Sequence, residues 1–193
     1  MGRKKLIIIT DGDHWAQQTI AAAGQRLGLK TVKATAGNPT PLPAAALRKE
    51  ISEAEGDPVL VMVDDGGEGK KGHGERLLEN LLLDDAFAVL GVIAVAANTR
   101  QVAGVPVDFS ITREGKIHRG PVDKDGRPEP EGRTRVEGDT VDVLNGLHPP
   151  LVVGIGDIGK MSPADRAEAG ARITTRAIEE ILKYHGLLAE AKA

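Results

Sequence analysis

The chain has 193 residues, 40% of them hydrophobic and 27% charged, with a formal net charge of −3. Cysteine is absent and aromatic residues make up 2%, which excludes disulfides, thiolate metal sites and cysteine nucleophiles and leaves almost no stacking platform for bases. The slightly acidic balance lacks the basic footprint of a nucleic-acid binder, so no nucleic-acid partner is expected. No apolar run approaches the roughly 20 residues of a membrane span, and the start of the chain shows no signal-peptide pattern. We therefore expect a soluble protein without a transmembrane segment that stays in the cell that makes it.

Alternating apolar runs and helical patterns predict a parallel sheet covered by helices on both faces. Predicted strands begin near five residues: Lys5, Lys30, Pro58, Ala88 and Leu151. Most of these strands are continuous Val, Ile and Leu runs, as expected where both faces are buried. Helical spacing between them gives the order β-α-β-α-β-α-β, which is typical of right-handed parallel crossovers. We therefore expect a single α/β domain over residues 1–193, a three-layer sandwich of Rossmann-like or Toprim-like kind with a mostly parallel sheet.

The alternation breaks after residue 98. Residues 105–111 alternate as a half-buried strand does, outside the parallel core or antiparallel at its edge, and residues 113–116 can turn this strand into a hairpin. Residues 119–138 are rich in glycine, proline and charge, and they predict an irregular surface excursion that is a candidate docking surface. Hairpin and excursion together cover residues 105–138. Near the end, residues 162–165 resemble a capping box with Pro163 at the first position of a terminal helix.

Short polar segments follow the predicted strands, and three of these segments carry aspartates beside glycines. The metal candidates in them, here called the acidic crest, are Asp11, Asp13, Asp64, Asp65 and Asp157. Ligands of open α/β sheets bind outside the carboxyl ends of the strands, and carboxylate oxygens suit Mg²⁺ or Ca²⁺. Asp11 or Asp13 could instead cap the helix that follows. Asp64 and Asp65 are harder to explain as caps, because a glycine-rich stretch separates them from the next helix, and their mutual repulsion favours a bound cation or basic neighbours.

A glycine-rich loop after the third strand predicts an anion cradle. Its backbone N–H groups, two lysines and an imidazole precede a helix start, which suits an anionic ligand; a mobile surface loop is the alternative. The ligand-binding candidates of this loop are Gly66, Gly67, Lys70, Lys71 and His73. Those of the neighbouring loops are Gly37, Asn38, Thr40, Asn98, Gly154, Gly156 and Lys160.

Residues 154–161 come close to two nucleotide motifs. They satisfy G-x-G-x-x-G, but no further strand with an acidic residue follows. They also satisfy G-x-x-x-x-G-K, yet Met161 stands where a P-loop needs a hydroxyl group. The segment therefore predicts a tight glycine turn close to a ligand rather than a nucleotide site. Residues 123–126 begin like a calcium loop, but Arg127 stands where an oxygen ligand is expected, so they are interpreted as a turn.

Six segments together carry a resemblance to a known family: residues 9–13, 36–41, 61–65, 90–99, 138–141 and 153–161. In this order they resemble the soluble form of the stage V sporulation protein AE family, over nearly the whole chain. That resemblance implies the SpoVA group of endospore-forming bacteria, whose members carry dipicolinic acid, with calcium, into the developing spore and release it during germination. It also implies synthesis in the cytoplasm and a peripheral place at the inner spore membrane, with other SpoVA proteins as partners. It supplies no catalytic residue.

Two hypotheses from different classes follow. The first is a non-enzymatic accessory protein of the dipicolinate channel, which docks on partners and binds dipicolinate or a divalent cation, Mg or Ca; self-association stays open. The alternative is a metal-dependent Toprim-like phosphotransfer or nucleotide-binding domain. Toprim domains pair a glutamate after the first strand with a later Asp-x-Asp, whereas this chain has Asp11 and Asp13 first and two adjacent aspartates later. No nucleophile with a base and an orienting group can be assembled, so the accessory protein is favoured.

Overall fold

The computed structural model describes residues 2–67, 72–97, 102–138, 140–161 and 163–188. Its strands, numbered in chain order, are β1 (Lys4–Ile9), β2 (Lys30–Thr31), β3 (Val59–Met62), β4 (Phe87–Val95), β5 (Val105–Pro106), β6 (Phe109–Ile111), β7 (Ile117–His118), β8 (Arg135–Val136) and β9 (Val152–Ile155). Its α-helices are α1 (His14–Leu27), α2 (Ala44–Glu53), α3 (His73–Leu83) and α4 (Arg172–Tyr184). Short 3₁₀ helices cover Lys33–Thr35, Asp142–Gly146 and Ala167–Ala169.

The main sheet has the strand order β2-β3-β1-β4-β9-β6-β7. Neighbours from β2 to β6 pair in parallel, and β7 closes the edge antiparallel to β6. Strands β5 and β8 form a separate antiparallel pair. The predicted α/β class, with a mostly parallel sheet and an added hairpin, is confirmed.

The sheet separates two hydrophobic cores, which gives the predicted three layers. Along β1, Ile7 and Ile9 belong to one core, whereas Leu6 and Ile8 belong to the other, following the two-residue alternation of a strand. Apolar residues of α1 and α4 complete the first core, and those of α2 and α3 complete the second. Continuous apolar strands are therefore explained by burial on both faces. Across the residues that the structure describes, every helix is too short or too polar to span a bilayer.

The expectation that residues 105–111 form one strand, outside the parallel core or antiparallel at its edge, is wrong. Strand β5 pairs with β8, but β6 joins the main sheet parallel to β9, with Ser110 opposite Gly154. A Cβ atom on Gly154 would lie 2.4 Å from the Ser110 hydroxyl oxygen, so the missing side chain is what allows this close pairing. The Asp108 carboxylate strengthens the junction by accepting a hydrogen bond from the Val152 backbone N–H at 2.7 Å.

Residues 119–138 are only partly a surface excursion. Val122 and Val136 are fully buried, and the turn at residues 123–127 packs against the segment that follows β9. The Asp157 N–H donates to the Lys124 carbonyl at 2.9 Å, and a Cβ atom on Gly156 would lie 2.5 Å from the Gly126 nitrogen. The longest exposed stretch of the excursion is residues 127–134, with Glu129 half-buried among them, and Arg119 and Glu137 are also exposed.

The terminal helix begins at Arg172, so the predicted start at Pro163 is wrong. Asp165 is fully buried and accepts hydrogen bonds from the N–H groups of Ile173 at 2.7 Å and Thr174 at 3.0 Å. Its other oxygen accepts from the Thr174 hydroxyl at 2.6 Å. Asp165 therefore caps α4 across a turn of several residues. Burial raises the pKa of this carboxyl even though the Thr174 hydroxyl and the helix N–H groups stabilise its ionised form.

Candidate functional site

The loops that follow β1, β2 and β3 meet at one edge of the main sheet. The Gly12 N–H donates to the Asp64 carboxylate at 3.0 Å, and the Gly37 N–H donates to the Gly12 carbonyl at 2.8 Å. A Cβ atom on Gly12 would lie 2.6 Å from the Gly37 carbonyl oxygen, so a side chain at position 12 would force the loops apart. Glycine at this position therefore serves close backbone approach.

The Asp64 side chain organises the loop after β3. One oxygen accepts from Gly12, and the other accepts from the Gly66 N–H at 2.8 Å. The backbone of Asp64 is bonded to Thr40 twice: the Thr40 hydroxyl accepts from the Asp64 N–H at 2.9 Å, and the Thr40 N–H donates to the Asp64 carbonyl at 3.0 Å. Candidate ligand residues Gly37, Thr40 and Gly66 are thus brought together around Asp64.

Asp65 caps α3, against the expectation from its distance in sequence. Its carboxylate accepts hydrogen bonds from the N–H groups of Gly74 and, at 3.2 Å, Glu75. The Asp65 N–H in turn donates to the Thr140 hydroxyl at 3.2 Å. An acid nine residues earlier in the chain therefore reaches the start of α3.

Asp13 caps α1, as its position before that helix allowed. Its carboxylate accepts from the Ala16 N–H at 2.8 Å, and α1 ends at Gly28, which has the left-handed φ of 69°. The capping alternative thus accounts for Asp13 in the structure.

Asp11 is a carboxyl of the acidic crest with unfavourable surroundings. Within the described ranges its side chain accepts one long hydrogen bond, from the Asp13 N–H at 3.3 Å. Desolvation raises the pKa of Asp11 well above its usual value, and the negative charges of Asp13, Asp64 and Asp157 raise it further. The loops after β1, β3 and β9 follow parallel strands of one sheet and lie at the same edge, as predicted. Asp11 therefore holds a proton more readily than a free aspartate does.

Lys160 brings a positive charge to the crest, because its side chain pairs with Asp157. The two side chains form an ion pair, and the Lys160 N–H donates to the Asp157 carboxylate at 3.0 Å. Gly154 and Gly156 lie in the same segment, but their closest contacts are with Ser110 and Gly126. The glycine turn is thus a packing junction between the last parallel strand and the excursion.

The remaining ligand candidates are placed as follows. Asn38 lies beside Gly66, where a Cβ atom would be 3.0 Å from the Asn38 side-chain oxygen. The His73 ring is hydrogen-bonded to the Leu42 carbonyl oxygen at 2.9 Å, which connects the start of α3 with the loop before α2. Among the described residues other than its chain neighbours, none lies within 4 Å of a Cβ atom placed on Gly67. Lys70, Lys71 and Asn98 lie outside the described residues, so the predicted anion cradle stays a prediction.

Trp15 and Arg166 adjoin the crest and were not identified from the sequence. Trp15 is 47% exposed in the first turn of α1, and the Arg166 guanidinium carbon lies 5.6 Å from the centroid of its ring. The ring also covers Gly159, where a Cβ atom would be 3.4 Å from it. A lone tryptophan directly after an acidic strand end was the signal that could have marked this position.

Within the ranges that the structure describes, no three His, Asp or Glu side chains are grouped as metal ligands. The crest carboxylates turn largely toward backbone N–H groups, which organise the loops. The arrangement suits a weakly held cation or a proton on Asp11, and the metal roles of the five aspartates stay predictions.

Comparison with known proteins gives the family. A family model described as stage V sporulation protein AE1 matches residues 5–185. Neither the curated proteins nor the solved structures contain a significant match. The family match spans nearly the whole chain and includes every strand of the main sheet except the first residue of β1. The chain therefore belongs to the stage V sporulation protein AE1 family and has a role in sporulation.

Proposed function

We propose that the protein is a peripheral accessory component of the SpoVA dipicolinate machinery, acting in sporulation and germination. It works by docking on other SpoVA proteins at the inner spore membrane and carries a weak cation site at the acidic crest. The observation that supports the crest site is Asp11, a half-buried carboxyl whose pKa is raised by burial and by three neighbouring acids. Perturbed carboxyls of this kind concentrate at functional sites.

A divalent cation is the ligand that best reduces the electrostatic repulsion among the crest carboxylates. It would offset the repulsion among Asp11, Asp13 and Asp157, and hard cations prefer carboxylate oxygens. Binding should be weak because the Asp13 and Asp64 carboxylates already accept backbone hydrogen bonds. Calcium, alone or as its dipicolinate complex, is the cation that the family's process supplies.

Calorimetric titration tests the crest site. Calcium, magnesium and dipicolinate are titrated separately and together into the wild-type protein and into Asp11→Asn. Asp85→Asn is the matched control, because Asp85 is an exposed aspartate just before β4. We expect weak binding of a divalent cation that is lost in Asp11→Asn and kept in the control. Saturation at a hundredfold excess over Kd would stabilise the fold by about 2.7 kcal/mol. If none of the three additions binds or raises the melting temperature at millimolar concentration, the acidic crest has a structural role alone.

The docking surface that we propose is the longest exposed stretch of the excursion, residues 127–134. The neighbouring residues 122–126 and 135–136 are packed into the fold, so deleting the whole excursion would disturb the core. A sharper test neutralises Glu131 and Arg133 together, since both are exposed and their removal leaves the net charge unchanged. We expect slower dipicolinate release in germinating spores while the purified variant melts as the wild type does. A normal release rate would refute this surface as the docking site.

A further inference from the structure

A second polar site lies at the far end of α1 from the acidic crest. A cleft of about 280 Å³ is lined by residues of α1, of the turn between β6 and β7, and of the first two turns of α4: Arg26, Glu114, Gly115, Arg172, Thr175, Arg176 and Glu179. We call it the arginine cleft. Because α1 rises about 1.5 Å per residue, its two ends are roughly 20 Å apart, and the cleft is a site separate from the crest.

Two buried hydrogen-bond donors at the cleft lack an acceptor among the described residues. Thr175 is 4% exposed, and neither its hydroxyl oxygen nor the Arg176 Nε has a hydrogen-bond partner in the part of the chain that the structure describes. Buried polar side chains are nearly always hydrogen-bonded, and these two exceptions belong to adjacent residues that line one cleft. An acceptor brought by a ligand would satisfy both.

The lining of the cleft carries three arginines and two glutamates, so a small excess of positive charge favours an anion. Arg176 is balanced by Glu180 at 2.9 Å and Glu179 at 3.9 Å. Arg26 and Arg172 are exposed, and no salt bridge to either of them occurs within the described ranges of the chain. Two guanidinium groups therefore face the cleft with their donors available.

The unmet groups of the arginine cleft can all donate hydrogen bonds, and they come from two helices. A tetrahedral oxyanion can accept from several directions at once, and guanidinium groups bind its oxygens in pairs. We propose that the arginine cleft binds an oxyanion of the phosphate class, with Arg26 and Arg172 holding its charge and Thr175 and Arg176 supplying buried hydrogen bonds.

Inorganic phosphate is the first probe. Titration at constant ionic strength is followed by amide chemical shifts of the intact protein, in the wild type, in Arg26→Gln/Arg172→Gln and in Arg3→Gln. The control removes an exposed positive charge at the start of β1. We expect shifts at Gly115 and Thr175 in the wild type and the control. The double variant should weaken phosphate binding at least about tenfold, since hydrogen bonds to a charged group are lost. Equal affinity in the double variant would overturn the proposal.

Thr175→Val separates a ligand role from a structural one. Valine keeps the shape of the side chain and removes the hydroxyl. If the hydroxyl lacks a partner in the unliganded protein, the variant melts at the same temperature or higher and binds phosphate more weakly. A lower melting temperature with unchanged phosphate affinity would show a bonded, structural hydroxyl and would overturn its assignment.

Lipid vesicles distinguish the two sources of a phosphate group. Vesicles of phosphatidylglycerol and of phosphatidylcholine are compared by sedimentation with wild type and the double arginine variant. Binding to phosphatidylglycerol that free phosphate competes away, and that the double variant loses, identifies a lipid headgroup. Phosphate binding without vesicle binding identifies a soluble phosphate compound. Absence of both refutes the phosphate site.

Discussion

The acidic crest and the arginine cleft lie at opposite ends of α1 and differ in how their charges are used. Crest carboxylates such as Asp13 and Asp65 accept backbone hydrogen bonds and hold loops and helix starts in place. In the cleft, Arg26 and Arg172 form no salt bridge within the described ranges, and the Thr175 hydroxyl has no hydrogen-bond partner there. The charge of Arg172 does help to stabilise the ionised Asp165 that caps α4. The crest is therefore needed for the fold whether or not it binds a ligand, whereas we expect the cleft to contribute much less to folding. Substitutions should separate the two regions by their effect on stability.

Removing Asp65 should give the largest effect. Asp65→Ala deletes the acceptor of the Gly74 and Glu75 N–H groups at the start of α3. Loss of a buried charged cap should lower the free energy of unfolding by about 2 to 4 kcal/mol. Urea unfolding measures the loss, with Asp85→Ala as the exposed control, expected to change by less than about 0.5 kcal/mol. Equal stability of the two variants would contradict the structural role of the crest.

A methyl group at position 156 tests the junction behind the crest. In Gly156→Ala the Cβ atom would lie 2.5 Å from the Gly126 nitrogen and 2.8 Å from a Met161 side-chain carbon. Overpacking of this kind should lower stability by about 1 to 3 kcal/mol. Gly146→Ala is the matched control, because a Cβ atom there meets nothing within 4 Å. The comparison uses thermal unfolding, and a neutral Gly156→Ala would mean that the excursion is not seated on the crest.

Asp11→Asn should raise the free energy of unfolding, whereas the two preceding substitutions should lower it. The folded-state pKa of Asp11 is raised, so the folded protein binds a proton more tightly than the unfolded chain does. Its contribution to stability is fully present below the unfolded-state pKa and is lost as the pH rises through the folded-state pKa. Above both pKa values the wild type therefore carries an unfavourable charge that the variant lacks.

Unfolding free energies measured between pH 4 and 8 check this sign. We expect Asp11→Asn to be the more stable protein at pH 7, with the difference shrinking as the pH falls. The difference between the two proteins removes the contribution of other acids, such as Asp84, whose pKa is lowered by its hydrogen bond to Arg48. A variant that is less stable than wild type at pH 7 would contradict the conclusion that the ionised Asp11 side chain destabilises the folded protein.

The smallest effect is expected in the arginine cleft. Arg26→Gln/Arg172→Gln changes two exposed side chains without salt bridges in the described ranges, so the free energy of unfolding should move by less than about 1 kcal/mol. Denaturant unfolding in phosphate-free buffer provides the measurement. A larger loss would show that the guanidinium groups support α4, and the contrast between crest and cleft would fail.

The sequence predicted those features that depend on short, regular spacing. Runs such as Val59–Met62 are apolar at every position because both faces are buried, and Gly28 marks the end of α1 because its backbone is left-handed. The features that the sequence did not predict depend on contacts between residues at longer and irregular spacing. Asp65 reaches a helix start nine residues later and Asp165 one eight residues later, whereas capping rules use a spacing of three.

The direction of the strand near the sheet edge also could not be predicted from the sequence. A strand of three residues such as β6 carries no periodic signal, and its parallel pairing depends on space left by Gly154 next to Ser110. The candidate site was predicted in its residue types and its place at the carboxyl ends of the strands. Its internal hydrogen bonds, and the division between caps and the strained Asp11, depend on loop conformations that residue patterns do not encode.

The position of Trp15 makes the crest optically observable. It is the single tryptophan of the chain, it stands two residues beyond Asp13, and a guanidinium group lies over its ring. Indole emission depends on nearby charge and on water contact, so a ligand that displaces Arg166 or shifts the start of α1 changes the colour and yield of the protein's own fluorescence. Occupancy of the crest can thus be followed in the unlabelled chain, in real time and against a background free of other tryptophans.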